Sequence, residues 1–120
     1  MSTVAVVLVA LVALLHVYFL VLEMFLWTKP AGRRAFGTTQ EQAEQSKVLA
    51  ANQGLYNGFL AAGLFWSLTR GVEGRPIAIF FLVCVIAAGV FGAATASRKI
   101  LWVQALPAAL ALLAVVLGER

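Results

Sequence analysis

The chain has 120 residues, of which 62% are hydrophobic and 12% charged, and its formal net charge is +4. Soluble domains carry about 25% charged residues, so this composition excludes an ordinary soluble domain and indicates an integral membrane protein. The basic residues fall in short segments between apolar runs, and no aromatic-interleaved basic patch is present. We therefore expect a lipid bilayer as a partner, and no nucleic acid.

Four apolar runs can be drawn, over residues 4–27, 48–68, 76–96 and 100–117. Each is close to the ~20 residues that a helix needs to cross ~30 Å of hydrocarbon. Together they predict a single all-α domain over residues 1–120, with four transmembrane helices in an up-down-up-down bundle. The first run is too long for the core of a signal peptide and lacks a basic leading segment, so we expect it to remain as a span.

Basic residues between the runs predict the orientation. Loops one and three, expected on one side, contain six of them, and the other side has three: Lys29, Arg33, Arg34, Lys47, Arg98 and Lys99 against Arg70, Arg75 and Arg120. Cytoplasmic loops carry an excess of Lys and Arg. The count favours a multi-pass protein with both termini outside and with loops one and three in the cytoplasm.

Loop one, over residues 28–47, is the longest connection, and its first half, residues 30–37, has the composition of a basic loop. Its second half contains two candidate capping boxes, Thr38 with Glu41 and Thr39 with Gln42, which are typical of a helix start. Helix two is therefore predicted to begin near Thr39 and to extend into the cytoplasm over about 30 residues. Pro107 removes a backbone donor from span four and predicts a kink there.

Helix two has a polar face and a face of small residues. The polar face contains Asn52, Gln53, Tyr56 and Asn57, and the small face contains Gly54, Gly58, Ala61 and Ala62. Small residues four apart favour close contact between membrane helices. That contact could join helices of one chain, or it could join copies of the chain in a homo-oligomer through Gly/Ala-rich faces, to which span three adds its own small residues.

Polar residues of three spans are predicted to share one depth. Glu23, Asn52 and Gln104 each lie four residues from the predicted cytoplasmic end of their span, ~6 Å inside it. His16 is deeper, and the helical stripe that contains it also includes Glu23 and Trp27. The functional interpretation is a cytoplasm-facing polar pocket, and the structural one is a set of hydrogen bonds that fixes helix register. The pocket would contain His16, Glu23, Asn52, Gln53, Tyr56, Asn57 and Gln104, with Arg33 and Arg34 at its rim.

Enzyme signatures are sparse. The sequence has no HExxH, no His or Cys pair with metal-ligand spacing and no phosphate-binding glycine loop, so we predict no metal and no cofactor. Cys84 lies inside span three and fits the role of a small apolar residue. His16 and Glu23 are two helical turns, ~10 Å, apart, and could act only on opposite ends of a substrate. We leave catalysis open and favour a protein without it.

Residues 16–24, 52–60, 89–95 and 104–108 carry a family resemblance. Over essentially its full length, the chain resembles a bacterial family of small four-span membrane proteins of unknown function, and the run of residues 52–60 (Asn-Gln-Gly-Leu-Tyr-Asn-Gly-Phe-Leu) is specific. The resemblance implies an integral protein of the bacterial inner membrane. It implies no activity.

The chain also resembles the MAPEG superfamily of glutathione- and eicosanoid-handling membrane proteins. The likeness consists of four spans, a long cytoplasmic first loop, an extended second helix and the run Tyr56, Phe59 and Leu60. In that superfamily an Arg and a Glu of the second helix contact glutathione. Here the Glu position falls at Gly54, and the Arg position has no basic residue. The resemblance implies a similar helical scaffold and a trimeric assembly.

Three functional hypotheses follow. The favoured one is a non-catalytic, oligomeric membrane protein whose pocket binds a small amphiphile or lipid. The second is a MAPEG-like glutathione-dependent membrane transferase. The third is a small oligomeric transporter that uses His16 and Glu23.

Overall fold

The computed structural model describes residues 1–118, and they form an all-α fold, as predicted. Arg120, which entered the predicted charge count, lies outside the described residues. A 3₁₀ turn, Gly71–Glu73, precedes α4, and a π-helical turn, Leu101–Ala105, precedes α5. The α-helices of the described chain are α1 (Thr3–Met24), α2 (Pro30–Phe36), α3 (Gln40–Leu68), α4 (Gly74–Thr95) and α5 (Leu106–Leu117).

A capping box begins α3. The backbone N–H of Thr39 donates to Gln42 Oε1 at 3.0 Å, and the backbone N–H of Gln42 donates to Thr39 Oγ1 at 3.1 Å. These reciprocal bonds satisfy two N–H groups that a helix start leaves unpaired. The second of the two predicted registers is thus confirmed, and the register that used Thr38 is wrong. The 29-residue length of α3 agrees with the predicted ~30 residues.

Helix α2 corrects the prediction that residues 30–37 are a loop. Pro30 occupies the first turn, where its missing N–H costs nothing, and Gly37 ends the helix in the left-handed region at φ 68°. Both signals are present in the sequence, but seven residues show too little apolar periodicity to reveal a helix. Helix α1 ends at Met24, a few residues before the predicted end of span one at Trp27.

Two segments of the described chain are long and apolar enough to cross a membrane, Thr3–Met24 and Gly71–Thr95. A shorter apolar segment covers Leu101–Leu117. Only 28% of the most apolar window of the first segment and 22% of that of the second are buried in the protein. Most of the apolar surface of both segments therefore faces outward.

The chain divides into two compact units. The first unit contains Met1–Ala13 and the chain from Leu60 onward, and the second unit contains Leu14–Phe59. The core of the first unit is aliphatic and rich in alanine: Ala5, Val9, Val12, Ala13, Leu64, Ala78, Leu82, Val85, Ala108, Ala111 and Val115. Alternation of small and large side chains lets these helices interdigitate closely.

Close approach within the first unit occurs at Gly89 of α4. A Cβ atom built there would lie 2.8 Å from the backbone nitrogen of Ala105 and 3.0 Å from its Cα. Ala105 ends the π-helical turn, which lies just before Pro107. The helix is thus widened over the turn just before Pro107, and the predicted kink at that proline stays a prediction.

In the second unit, the small face of α3 packs against α1. A Cβ at Gly54 would lie 2.6 Å from Met24 Cγ, and a Cβ at Gly58 would lie 2.8 Å from Leu20 Cδ1. These glycines let side chains of α1 reach the backbone of α3. The predicted close contact at this face is therefore made inside the chain.

Candidate functional site

A buried carboxylate and a buried amide meet in the second unit. Glu23 on α1 is 7% exposed and Asn57 on α3 is 8% exposed. Asn57 Nδ2 donates a hydrogen bond of 2.6 Å to Glu23 Oε1. A carboxylate removed from water is costly unless hydrogen bonds compensate, and a bond to an ionised acceptor is stronger than one between neutral groups. Asn57 therefore fixes the position of the Glu23 side chain.

Glu23 also lines a cavity with a volume of about 370 Å³. The cavity lies between the end of α1, with the turn that follows it, and residues 47–51 of α3. Apolar atoms supply most of its wall, and Glu23 and Lys47 supply its charged groups. The lining residues are Glu23, Met24, Phe25, Trp27, Thr28, Lys47, Val48 and Ala51.

Trp27 is held in place on two sides. Its Nε1 donates to Ser46 Oγ of α3 at 3.1 Å, and Ser46 Oγ donates to the carbonyl of Gln42 at 2.7 Å. Its ring centroid lies 4.8 Å from that of Phe36. Trp27 is half-buried, and an indole in such a place is held by a partner for its N–H and by contact with another aromatic ring. This wall of the cavity is therefore preorganised.

Helix α2 lies against the turn that follows α1. A Cβ atom at Gly32 would collide with the backbone of Leu26 and Trp27, so only glycine permits this approach. Arg33 Nε donates to the carbonyl of Thr28 at 3.3 Å, which ties α2 to a residue that lines the cavity. Arg33 is half-buried, and Arg34 is exposed.

Lys47 contributes the positive charge of the cavity. Its Nζ lies 3.4 Å from Glu44 Oε1, and the two side chains are 59% and 49% exposed. An exposed pair of this kind on a helix contributes only ~0.3–0.5 kcal/mol. The ammonium group can therefore exchange Glu44 for another anion at little cost.

The predicted pocket residues occupy different places. His16 is buried, with its ring edge to face against Phe19 at 5.3 Å between centroids. Asn52, Gln53 and Tyr56 are exposed, and Asn52 Nδ2 donates to the Tyr56 hydroxyl at 3.3 Å. The structure thus brings Glu23 together with Asn57, and Asn52 together with Tyr56. Their role in ligand binding stays a prediction.

Gln104 belongs to the first unit, where it is half-buried in the π-helical turn. Among the predicted pocket residues, Glu23 is the one that lines the cavity. Sequence reasoning did not assign Lys47 or Thr28 to a site. The sequence does place Trp27 on one predicted stripe with Glu23, although α1 ends at Met24, before Trp27.

The cavity combines apolar walls with one acid and one base, an arrangement that suits a ligand with an apolar part and a polar head. Residues 1–118 contain no cluster of three or more His, Cys, Asp or Glu side chains that could hold a metal ion.

The structure is that of a small all-helical protein with two segments long and apolar enough to cross a membrane. The chain belongs to the family described as "Protein of unknown function (DUF1304)", which matches residues 10–116. It is also 32% identical over 115 residues to "Uncharacterized protein YpaA" of Lactococcus lactis subsp. lactis (strain IL1403), covering 94% of this chain and 97% of that protein. No solved structure matches the chain. The predicted membership of a family of unknown function is confirmed, and the MAPEG resemblance stays a prediction.

Proposed function

We propose that this chain is an integral membrane protein of the bacterial inner membrane. The supporting observation is the outward-facing apolar surface: Leu14 is 54% exposed, Phe80 62% and Phe91 71%. In water, so wide an apolar surface would drive aggregation, whereas lipid tails solvate it. The four predicted spans, with both termini outside and loops one and three in the cytoplasm, are part of this proposal.

Labelling of single cysteines in intact cells tests the orientation. In a Cys84→Ser background, Arg34→Cys and Val72→Cys place thiols at two exposed positions on opposite predicted sides. We expect a membrane-impermeant maleimide to label Cys at position 72 from outside and to label position 34 only after the membrane is opened. The reverse pattern would overturn the orientation, and equal labelling of both without opening would overturn the spans between them.

We further propose that the cavity of the second unit binds a small amphiphile. One observation carries this proposal: a cavity of about 370 Å³ whose wall is mainly apolar and which also exposes the Glu23 carboxylate, fixed by Asn57. A volume of this size suits a small ligand. Because an interior carboxylate in a membrane helix is costly, such groups commonly mark functional sites.

Native mass spectrometry of the full chain from mild detergent tests the binding of an amphiphile. We expect bound small molecules on the wild-type protein and their loss in Ala51→Trp, which fills the cavity. Ala62→Trp is the matched control, because Ala62 is exposed on the same helix and does not line the cavity. Equal retention of small molecules by both variants, or none on the wild type, would contradict the proposal.

The same measurement reports the number of subunits. We propose a homo-oligomer that assembles through exposed small residues of α4, namely Ala87, Ala88 and Ala94. Support comes from the general preference of membrane helices for small residues at close contacts. On the small face of α3, Gly54 and Gly58 are already covered by Met24 and Leu20 of the same chain. Ala88→Trp should reduce the subunit number, and an unchanged oligomer would count against this face.

A further inference from the structure

Charge in the cavity is divided between two helices. Glu23 presents a carboxylate from α1, and Lys47 presents an ammonium group from α3. The other lining residues carry no charge. A ligand that fills this space therefore meets one acid and one base, together with apolar side chains such as Phe25 and Val48.

The Glu23 carboxylate has remaining capacity to accept hydrogen bonds. Asn57 donates to Oε1, and no hydrogen bond from residues 1–118 reaches Oε2. A carboxylate offers about four lone-pair sites, so one amide bond leaves most of them unused. Because Glu23 is 7% exposed and lines the cavity, a ligand in that cavity can supply the further donor. A primary ammonium group, with three N–H donors, fits this requirement.

Lys47 would bind an anionic group of the ligand. Its ammonium group has only the weak, exposed pairing with Glu44. Lysine binds phosphate as a point charge, and a bond between two ionised groups is about twice as strong as a neutral one. An anionic group at the Lys47 end of the cavity would therefore displace Glu44.

We infer that the cavity recognises a zwitterionic ammonium–phosphate headgroup, with the ammonium at Glu23 and the phosphate at Lys47. This inference rests on the proposed binding of an amphiphile and names its chemical class. The apolar wall then contacts the first carbons of an attached acyl chain. The same headgroup occurs in membrane phospholipids and in soluble phosphoethanolamine esters, so the test includes both sources.

Calorimetric titration of the full chain in detergent compares three probes: dihexanoyl phosphatidylethanolamine, dihexanoyl phosphatidylglycerol and glycerophosphoethanolamine. We expect the first to bind about tenfold more tightly than the second, because only its headgroup carries an ammonium that Glu23 can bind. Glu23→Gln should remove this tenfold preference by weakening the binding of the phosphatidylethanolamine lipid alone. Lys47→Met should weaken the binding of both lipids about tenfold.

Matched controls are Glu41→Gln and Lys29→Met, which change exposed residues outside the cavity and should leave both affinities unchanged. If Glu23→Gln does not fold, Lys47→Met at its exposed position still tests the phosphate contact. If glycerophosphoethanolamine binds as tightly as the phosphatidylethanolamine lipid, that would support recognition of the headgroup and a soluble ester as its source. Equal binding of both lipids would overturn the headgroup assignment and leave the amphiphile proposal standing. Binding of none of the probes, with no co-purifying molecule, would remove both.

Discussion

The two units of this protein bury different kinds of side chains. The first unit has an aliphatic core, and its buried polar residue Ser67 donates to the carbonyl of Leu64 at 2.6 Å within its own helix. The second unit buries His16, Glu23 and Asn57, and the latter two bond each other across helices. Helix association is thus achieved by apolar packing in one unit and partly by polar contacts in the other.

This difference assigns separate roles to the units. Aliphatic packing has no directional requirement beyond shape, so it suits a scaffold. Buried polar pairs are costly when incomplete, and they persist where they fix geometry or bind something. The second unit also contains the cavity of about 370 Å³, beside its buried pair. The ligand binding that we propose would therefore take place in the second unit.

Removal of a large core side chain from the first unit should have the largest effect on stability. Leu82 is fully buried in the aliphatic core, and Leu82→Ala should lower the free energy of unfolding by about 3 kcal/mol because it leaves a cavity. Leu113, which is 55% exposed, provides the matched control, and its substitution by alanine should cost under about 1 kcal/mol. Denaturation in mixed micelles measures both, and equal losses would show that this core does not stabilise the unit.

Loss of the buried amide in the second unit comes next. Asn57→Leu removes the donor to Glu23 Oε1 and leaves the carboxylate without it, which should cost about 2 kcal/mol. Asn52→Leu changes an exposed amide of the same helix and should cost far less. The additional change Glu23→Leu should recover part of the loss, because the polar group left unpaired is then gone.

The same denaturation assay measures these variants. If Glu23 and Asn57 did not interact, the loss of stability in the double variant would equal the sum of the losses in Asn57→Leu and Glu23→Leu. Such an additive result would contradict the pairing.

The elements that the sequence predicted well are those with a repeated or local chemical signal. The length of α3 follows from its Thr39 capping box and its apolar residues, and the all-α class follows from composition. Helix α2 was missed because Pro30 and Gly37 are weak signals without a long periodic pattern between them. The π-helical turn before Pro107 was also missed, since a missing donor does not say how the backbone will adjust.

The candidate site was harder to predict. Counting residues from the ends of spans grouped polar side chains by depth, but depth does not fix the direction in which a side chain points. Asn57 and Asn52 are both amides on α3, yet Asn57 is buried against Glu23 and Asn52 is exposed. From the sequence, Lys47 is predicted to set the orientation of the chain, and only the fold shows that it lines a cavity.

The wall of the cavity offers a smaller test of the polar character of the second unit. Trp27→Phe keeps a ring near Phe36 and removes the N–H that donates to Ser46. Combined with Ser46→Ala in a double-mutant cycle, it should give a coupling energy of about 1 kcal/mol. Thermal unfolding in detergent measures the four proteins. A coupling near zero would mean that the indole is held by its ring contact alone.

The smallest expected effect concerns the start of α3. Thr39→Ala removes the hydroxyl that accepts the Gln42 N–H and should cost about 0.5–1 kcal/mol. Thr38→Ala is the matched control, because Thr38 Oγ1 has no hydrogen-bond partner among residues 1–118. Faster hydrogen exchange at the first amides of α3 should appear for Thr39→Ala and be absent for Thr38→Ala. Ser46 and Lys47 follow this first stretch of the helix. Fraying that reaches them should therefore also weaken the ligand binding that we propose at the cavity. Faster exchange in Thr38→Ala instead would assign the cap to the other register.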